Sequence, residues 1–219
     1  MDYVRTDEET AELVKQWLRK NGPGLLGAFV IGVGSVLGYQ WWQQNQIAQI
    51  TDASASYQEL IEFASLNFAD PDTAADYERM LAVGERLQSA HDGSYYAALG
   101  AGILAAQAVE RGDFDLAVSQ LTYAEAQVET SELKSMMGLR LARLELELNQ
   151  PEQALSRVRG LTDSSMAASL KELEGDILVA LDSLPEAREV YQQASELMQA
   201  RGLNTAIVDL KMAALPEAL

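Results

Sequence analysis

The sequence contains no cysteine and a single histidine, His91. The absence of cysteine excludes disulfide bridges, thiolate zinc sites and thiol nucleophiles. Histidine is the usual general base near neutral pH and a leading metal ligand, so one histidine leaves little material for catalysis. We expect His91 itself to lie in an exposed loop between helices. We therefore predict a protein that is not an enzyme and that uses no metal or cofactor; an enzyme that uses carboxylates alone is the alternative that the composition leaves open.

Basic residues are also scarce, since 16 Lys and Arg face 33 Asp and Glu, for a formal net charge of −17 at pH 7. Nucleic-acid binding needs clustered Lys and Arg, so we expect no nucleic-acid partner. Anionic lipid head groups would repel such a surface as well. With 219 residues and 48% hydrophobic content, the chain is nevertheless able to form a packed core.

Charge is missing altogether between Lys20 and Asp52, and the most apolar part of this window runs from 24 to 42. As a helix that part would be about 29 Å long, close to the ~30 Å hydrocarbon core of a bilayer.

Three interpretations of this apolar segment compete: a buried helix, a cleaved signal peptide and an uncleaved membrane span. A helix that is apolar on every face is rare in soluble domains. A signal peptide has a short basic start, whereas this start is long and acidic, and the A-x-A-like run at 53–55 lies far beyond the apolar end.

The sequence thus favours an uncleaved span over 21–42, after a segment at 1–20. The basic residues before it are Arg5, Lys15, Arg19 and Lys20, and none follows until Arg79. Basic flanks stay on the cytoplasmic side, so we predict a single-pass type II topology with residues 1–20 cytoplasmic. The residues expected at the two membrane interfaces are Lys20 at one end and Tyr39, Trp41 and Trp42 at the other.

The glycines of the span form their own pattern. Gly27, Gly34 and Gly38 fall on one helix face. Small residues on one face allow another helix to approach closely in lipid, so we expect a partner helix there. The alternative is that glycine is simply tolerated in membrane helices.

Beyond the span, strand signals are absent and Ala, Leu, Glu and Gln dominate, which predicts an all-α region. The helical pattern continues over 43–66 as a stalk and first helix. Asn67 and the Asp-Pro-Asp group at 70–72 are expected to end it and to start the next helix.

Three segments, 111–127, 148–161 and 181–197, align with one another. Each begins with turn residues and opens a helix with an alanine at the same place, and this set resembles the tetratricopeptide repeat, a helix–turn–helix unit of about 34 residues. In such a repeat, small residues occur where the two helices of one unit cross, and bulky residues pack against the next unit. The expected small packing positions are Ala105, Ala117, Ala142, Ala154, Gly175 and Ala187. The expected turn positions are Gly112, Asn149 and Asp182.

We therefore predict a tetratricopeptide-like helical solenoid over 67–219. An earlier unit would combine the end of the stalk with 74–90, using Ala75 or Ala82 as its packing alanine. The tail at 205–219 would cover the last repeat.

No group of residues in this region points to catalysis. Glu172 and Asp176 share a helix face and form either a solvated acidic surface or a ligand contact. We expect the Tyr95–Tyr96 pair to pack, and Met136–Met137 to lie in the core unless it forms an adaptable binding patch. In this repeat class a partner binds the inner face made by the first helices. The residues that the alignment places there are Leu99, Val109, Met136, Leu139, Arg143, Glu147, Glu172 and Asp176.

Two stretches carry a more specific resemblance: "VKQWLRKNGPGLLGAFVIGVGSVLGYQWWQQNQ" followed by "ASASYQEL", and "LRLARLELELNQPEQAL" at 139–155. Together with the repeats they resemble the YfgM family, ancillary subunits of the SecYEG translocon in Gram-negative inner membranes. The resemblance implies a periplasmic repeat domain, association with SecYEG and with the PpiD-like chaperone, and a non-enzymatic role in passing emerging polypeptides to periplasmic chaperones. The alternative from another class is a structural envelope scaffold or regulatory tether without translocon contact.

Overall fold

The computed structural model describes residues 7–66, 68, 73–128 and 130–216, and the side chains of all of these except 7–10 and 131. Asn67, the group at 70–72 and the tail residues 217–219 lie outside the described part. Within it every regular element is a helix, which confirms the predicted all-α fold. The helices are α1 (Asp7–Ala64), α2 (Ala74–Ala90), α3 (Tyr95–Arg111), α4 (Phe114–Gln127), α5 (Ser131–Glu147), α6 (Pro151–Gly160), α7 (Ala167–Ala180), α8 (Leu184–Ala200) and α9 (Ala206–Ala213).

The chain divides into two compact units, 1–51 and 52–219. In the first unit, α1 is the one helix of the described chain that is long and apolar enough to cross a membrane. None of its apolar window is buried by the rest of the chain, so it is not a core helix. Its length and composition are sufficient for a membrane span, but the helix runs without a break from Asp7 to Ala64 and so does not mark the predicted ends of the span at 21 and 42.

The second unit begins earlier than the predicted repeat-domain boundary at 67. Ala53, Ser56 and Leu60, on the last turns of α1, are buried. Ala53 and Leu60 belong to an apolar cluster with residues of α2 and α3. The end of α1 is therefore the first helix of the packed domain, because its apolar residues have a core to enter.

The next six helices form three hairpins: α3 with α4, α5 with α6 and α7 with α8. In the three turns Gly112, Asn149 and Asp182 have φ values of 75°, 59° and 57°. Glycine enters this left-handed region freely, and Asn and Asp do so more readily than other residues. In each turn the following residue donates its N–H to a carbonyl near the end of the preceding helix, at 2.8 or 2.9 Å. Three different residues thus build the same turn.

The core consists of four apolar clusters, each made by helices that are neighbours in sequence. They join α1–α2–α3, α3–α4–α5, α5–α6–α7 and α7–α8–α9. Contact with immediate neighbours is the defining property of a solenoid. The predicted tetratricopeptide-like architecture is the one observed.

The small residues picked from the alignment lie at these contacts. Ala105, Ala117, Ala142, Ala154, Gly175 and Ala187 are all buried. A Cβ on Gly175 would come within 3.0 Å of the Tyr191 ring, closer than real Cβ contacts. The expectation for α2 is wrong, however, because Ala75 and Ala82 are exposed. The small buried residue of α2 is Gly84, where a Cβ would meet Leu104.

Candidate functional site

A concave pocket of about 430 Å³ lies between α3, α4 and α5. Its lining residues are Gly102, Ala105, Ala106, Val109, Glu110, Leu121, Arg140, Arg143, Leu144 and Glu147. The concavity depends on small side chains, since a Cβ on Gly102 would already lie 3.1 Å from Met137 Cε. Three residues predicted for the partner groove, Val109, Arg143 and Glu147, line this pocket.

Charged side chains border an apolar floor in this pocket. Arg140, Arg143, Glu110 and Glu147 are exposed. None of them forms an ion pair with another residue that the structure describes. The guanidinium donors are therefore available to carbonyl or carboxylate oxygens of a ligand, while the floor accepts an apolar side chain. A polypeptide segment offers both groups.

Arg140 and Glu110 were not identified from the sequence. The sequence could nevertheless have identified Arg140 as a groove residue, because residues 140, 143 and 147 lie three and four apart and share one face of α5. Glu110 directly follows Val109 near the end of α3, and no residue pattern distinguishes it from a solvated carboxylate.

Leu139 does not belong to the groove, contrary to the sequence-based prediction. It is 4% exposed and packs in the α5–α6–α7 cluster, so it is out of reach of a ligand. Leu99 and Met136 are half-buried against the α3–α4–α5 cluster, and Met137 is fully buried. The alignment placed the groove on α3, α5 and α7, whereas the pocket is lined by α3, α4 and α5, and it did not resolve which of the two apolar faces of α5 each residue joins.

Glu172 and Asp176 are also bound within the chain rather than free for a ligand. Lys211 of α9 donates to Glu172 Oε1 and to Asp176 Oδ2, both at 2.8 Å. Burial alone would lower the pKa of Lys211, but the hydrogen bonds to Asp176 and Glu172 outweigh it and the pKa is raised. Tyr191 donates its hydroxyl to Asp176 Oδ1 at 2.7 Å. The terminal helix, anchored by buried Val208, thus covers this acidic face.

The expectation of an exposed His91 is wrong. Its side chain is 10% exposed, and its Nε2 lies 2.9 Å from Asp52 Oδ2. His91 ends α2 and reaches back to α1 at the start of the second unit, which explains its burial. Of the neighbouring tyrosines, Tyr96 is half-buried with its ring 5.7 Å from that of Tyr57, whereas Tyr95 is exposed.

A buried ion-pair network joins α4, α5 and α6. Glu145 on α5 is 1% exposed and accepts hydrogen bonds from Arg157 Nε and from a terminal nitrogen of Arg157, the latter at 2.8 Å. Gln153 donates to Glu145 at 3.0 Å, and Glu125 on α4 accepts from the other terminal nitrogen of Arg157. Burial would lower the pKa of Arg157, but its bond to Glu145 and the two carboxylate charges raise it. This network links three helices that the alignment had assigned to two repeats.

A second buried carboxylate, Glu174 on α7, is held by two cations. Lys171 Nζ lies 2.7 Å and Arg159 Nε 2.8 Å from its oxygens. Burial would raise the pKa of Glu174, but the hydrogen bonds from Lys171 and Arg159 outweigh it and the pKa is lowered. Both networks are structural, because each charge in them already has its partner.

In the first unit the residues predicted for membrane contacts lie on the surface of α1. No heavy atom of the described chain outside the helix's own neighbouring backbone lies within 4 Å of a Cβ built on Gly27, Gly34 or Gly38. Lys20, Tyr39, Trp41 and Trp42 are exposed, and the Tyr39 and Trp42 rings are 6.0 Å apart.

A helical-repeat domain with a concave pocket, joined to one helix long and apolar enough to cross a membrane, defines the class: a helical-repeat protein of the tetratricopeptide kind. No group of three or more His, Asp or Glu side chains that could hold a metal ion occurs in the described part of the chain. The model of the tetratricopeptide repeat-like domain family matches residues 15–217.

Curated relatives identify the family more closely. The chain is 31% identical to an ancillary SecYEG translocon subunit of Haemophilus influenzae over 90% of this chain and 92% of the relative. A relative in Aggregatibacter actinomycetemcomitans has the same name and is 31% identical over 90% of this chain and 92% of the relative. A third relative with this name, from Escherichia coli, is 26% identical over 94% of this chain and 100% of the relative. The chain therefore belongs to the YfgM family of ancillary SecYEG translocon subunits. No solved structure matches the chain significantly.

Proposed function

We propose that this protein is a membrane-anchored, non-enzymatic adaptor of the SecYEG translocon that links emerging polypeptides to the periplasmic chaperone network, including a PpiD-like chaperone. The α3–α5 pocket is the observation that carries the proposal. It combines an apolar floor with arginines that have no ion-pair partner in the described chain, and it lies in a chain whose relatives are named as translocon subunits.

The proposed topology is single-pass type II in the inner membrane. Residues 1–20 are cytoplasmic, 21–42 span the bilayer and 43–219 are periplasmic, with 43–66 forming the stalk and the first helix of the packed domain. Lys20 contacts the inner interface, while Tyr39, Trp41 and Trp42 contact the outer one. The charge asymmetry around the span supports this direction.

The absence of cysteine makes this topology directly testable, because a single introduced thiol has no background. In intact spheroplasts a membrane-impermeant maleimide should label Ser89→Cys and should not label Glu12→Cys. After lysis both should react. The reverse pattern would contradict the proposed direction.

Filling the pocket tests its role in binding. Ala106 is exposed and lines the pocket, so Ala106→Phe should occupy the ligand space without disturbing the core. Ala82→Phe, at an exposed alanine of α2, is the matched control. On reconstituted membranes with a stalled secretory polypeptide, Ala106→Phe should reduce crosslinking of that polypeptide to the adaptor, whereas Ala82→Phe should not. Equal crosslinking in both variants would show that the pocket does not hold the polypeptide.

The glycine face of the span is proposed as the contact with a partner helix. Photoreactive residues at positions 34 and 38 should crosslink to a helix of the translocon or of the chaperone. Crosslinks to a second copy of this chain alone would favour the alternative of an envelope scaffold without translocon contact.

A further inference from the structure

The terminal helix α9 exposes an apolar outer face. Leu203, just before the helix, is 54% exposed, and Ile207 and Leu210 are 66% and 74% exposed. The other residues on this outer face, Ala206 and Ala213, are exposed alanines. On the opposite side Val208 is 1% exposed and fixes the helix to α7 and α8. We call Leu203, Ile207 and Leu210 the α9 stripe.

Within the described part of the chain the α9 stripe stays exposed, since no other described element packs on it. Single exposed apolar residues are common on any protein, but Ile207 and Leu210 lie on one face of a short helix with Leu203 just before it, and apolar surface grouped in this way is of the kind that marks an interface.

Carboxylates border both long edges of the stripe. On one edge Asp209 accepts from the hydroxyls of Ser195 and Thr205, and no described cation pairs with it. On the other edge Lys211 lies between Glu172 and Asp176, so one positive charge meets two negative ones. Each edge therefore carries a net charge of about −1 at neutral pH.

The nearby arginines lie at the ends of α9 rather than along its edges. Arg188 donates to the carbonyls of Leu215 and Pro216, just after the helix. Arg201, before the helix, donates to the carbonyls of Ser164 and Ser165. A ligand laid lengthwise along the stripe thus meets carboxylates on both sides.

We propose that the α9 stripe docks an amphipathic helix of another protein, apolar along one side and flanked by Lys and Arg. The bound helix packs lengthwise on α9 and continues the helix stack by one member, as each helix of the repeat domain packs on its neighbours. The apolar side covers Ile207 and Leu210, and one basic flank meets Asp209. The other flank meets the cluster of Glu172, Asp176 and Lys211, whose carboxylates keep their bonds to Lys211 and leave a net charge of about −1.

A second copy of this chain is a poorer occupant. Two copies would bring acidic edges against acidic edges, and each copy carries a formal charge of −17. An eight-residue helix is only about 12 Å long, far too short to bury the ~800 Å² per partner typical of stable complexes. A complementary basic helix offsets the small area with charge attraction and gives weak, reversible binding.

The test uses the full-length chain in zwitterionic nanodiscs and two synthetic helices of about 18 residues, or five turns. Both helices carry leucine along one side; one has lysine flanks and the other has glutamate at the same positions. Binding is followed by fluorescence anisotropy, with empty nanodiscs as background. The lysine helix should bind, and the variant Ile207→Asn/Leu210→Asn should weaken it about tenfold. Ile61→Asn, at an exposed isoleucine of α1, is the matched control and should bind as the parent does.

Three results would overturn the proposal. The first is no binding of the lysine helix, or equal binding to parent and double variant. The second is equal binding of the glutamate helix, which would refute the charge argument. The third is a concentration-dependent dimer that the double variant abolishes, because a second copy would then be the occupant. The assay contains no translocon, so a negative result would not refute the proposed adaptor function, which the crosslinking and labelling experiments test separately.

Discussion

Removal of Arg157 from the buried network should be the most damaging single polar substitution in the repeat domain. Arg157→Met keeps much of the side-chain volume but leaves Glu145, 1% exposed, without its cation. Breaking a buried pair by removing one partner costs about 3–5 kcal/mol, because an uncompensated charge stays buried. Gln153 keeps its hydrogen bond to Glu145 but carries no charge to replace the lost one.

This loss is large against a total stability of about 5–15 kcal/mol for a domain. For a domain of this size each kcal/mol shifts Tm by about 2–4 °C, so a decrease of roughly 6–20 °C is expected. The assay is thermal and urea unfolding of the full-length chain in detergent, followed by circular dichroism at the helix band. Arg140→Met is the matched control, since Arg140 is an exposed arginine on α5 without an ion pair in the described chain, and it should change stability by no more than about 0.5 kcal/mol.

The double variant Glu145→Leu/Arg157→Met separates this explanation from simple loss of packing. Replacing a buried ion pair by apolar residues is often neutral or stabilising, so the double variant should recover part of the lost stability, while Glu125, whose side chain is 16% exposed, still lacks its cation. The reasoning is refuted if Arg157→Met costs less than about 1 kcal/mol, the level of a surface ion pair. It is refuted equally if the double variant is as unstable as the single one.

Three further changes have defined outcomes. Gly175→Ala should destabilise the chain by about 1–3 kcal/mol, measured as a lower urea midpoint, because the added methyl meets the Tyr191 ring, which its bond to Asp176 holds in place. Asn149→Gly should raise Tm by the equivalent of about 0.5–1 kcal/mol, since glycine adopts the φ of 59° at that turn without strain. In Glu174→Gln the free energy of unfolding should depend less on pH at acid pH. The pKa of Glu174 is lowered in the folded state, so the carboxylate stabilises the fold fully above its unfolded pKa of about 4.3. This stabilisation is lost as the pH falls through the folded pKa.

Each of these changes has a control or an outcome that contradicts it. Gly160→Ala adds a methyl at a helix end with no heavy atom within 4 Å, so it should leave the midpoint unchanged or raise it slightly. Asn149→Ala should lower Tm, because alanine disfavours a positive φ; a rise would argue against the turn geometry. If the stability of Glu174→Gln fell at acid pH as steeply as that of the parent, the two cations would not stabilise the folded carboxylate.

The repeat architecture was predictable from the sequence because its strongest constraints are steric and recur. Small residues such as Ala117 and Ala154 occur where helices cross, and the turn positions are filled by residue types that tolerate a left-handed backbone. Their common spacing is visible in a single chain. The apolar helix was predictable too, because its uncharged run is visible in the sequence, but α1 continues past the end of that run at Trp42 to Ala64.

The errors have a different physical origin. His91, Leu139 and the Glu172–Asp176 pair were misplaced because burial at these positions depends on side chains from other helices. Asp52 and Lys211 supply the decisive partners, and no periodicity within one helix reveals them. The same reason explains why the Glu125–Glu145–Arg157 network was not anticipated, since its three members lie on three helices.

The four neighbour-only clusters also set the order in which this domain can fold. Each helix finds its packing partners among segments that precede it or follow it immediately, so no helix has to wait for a distant part of the chain. A chain that emerges slowly from its N-terminal side can therefore complete one hairpin at a time, with each finished hairpin serving as the template for the next. Lys211 of α9 closes the acidic face of α7 in the same way, once these two helices are in place.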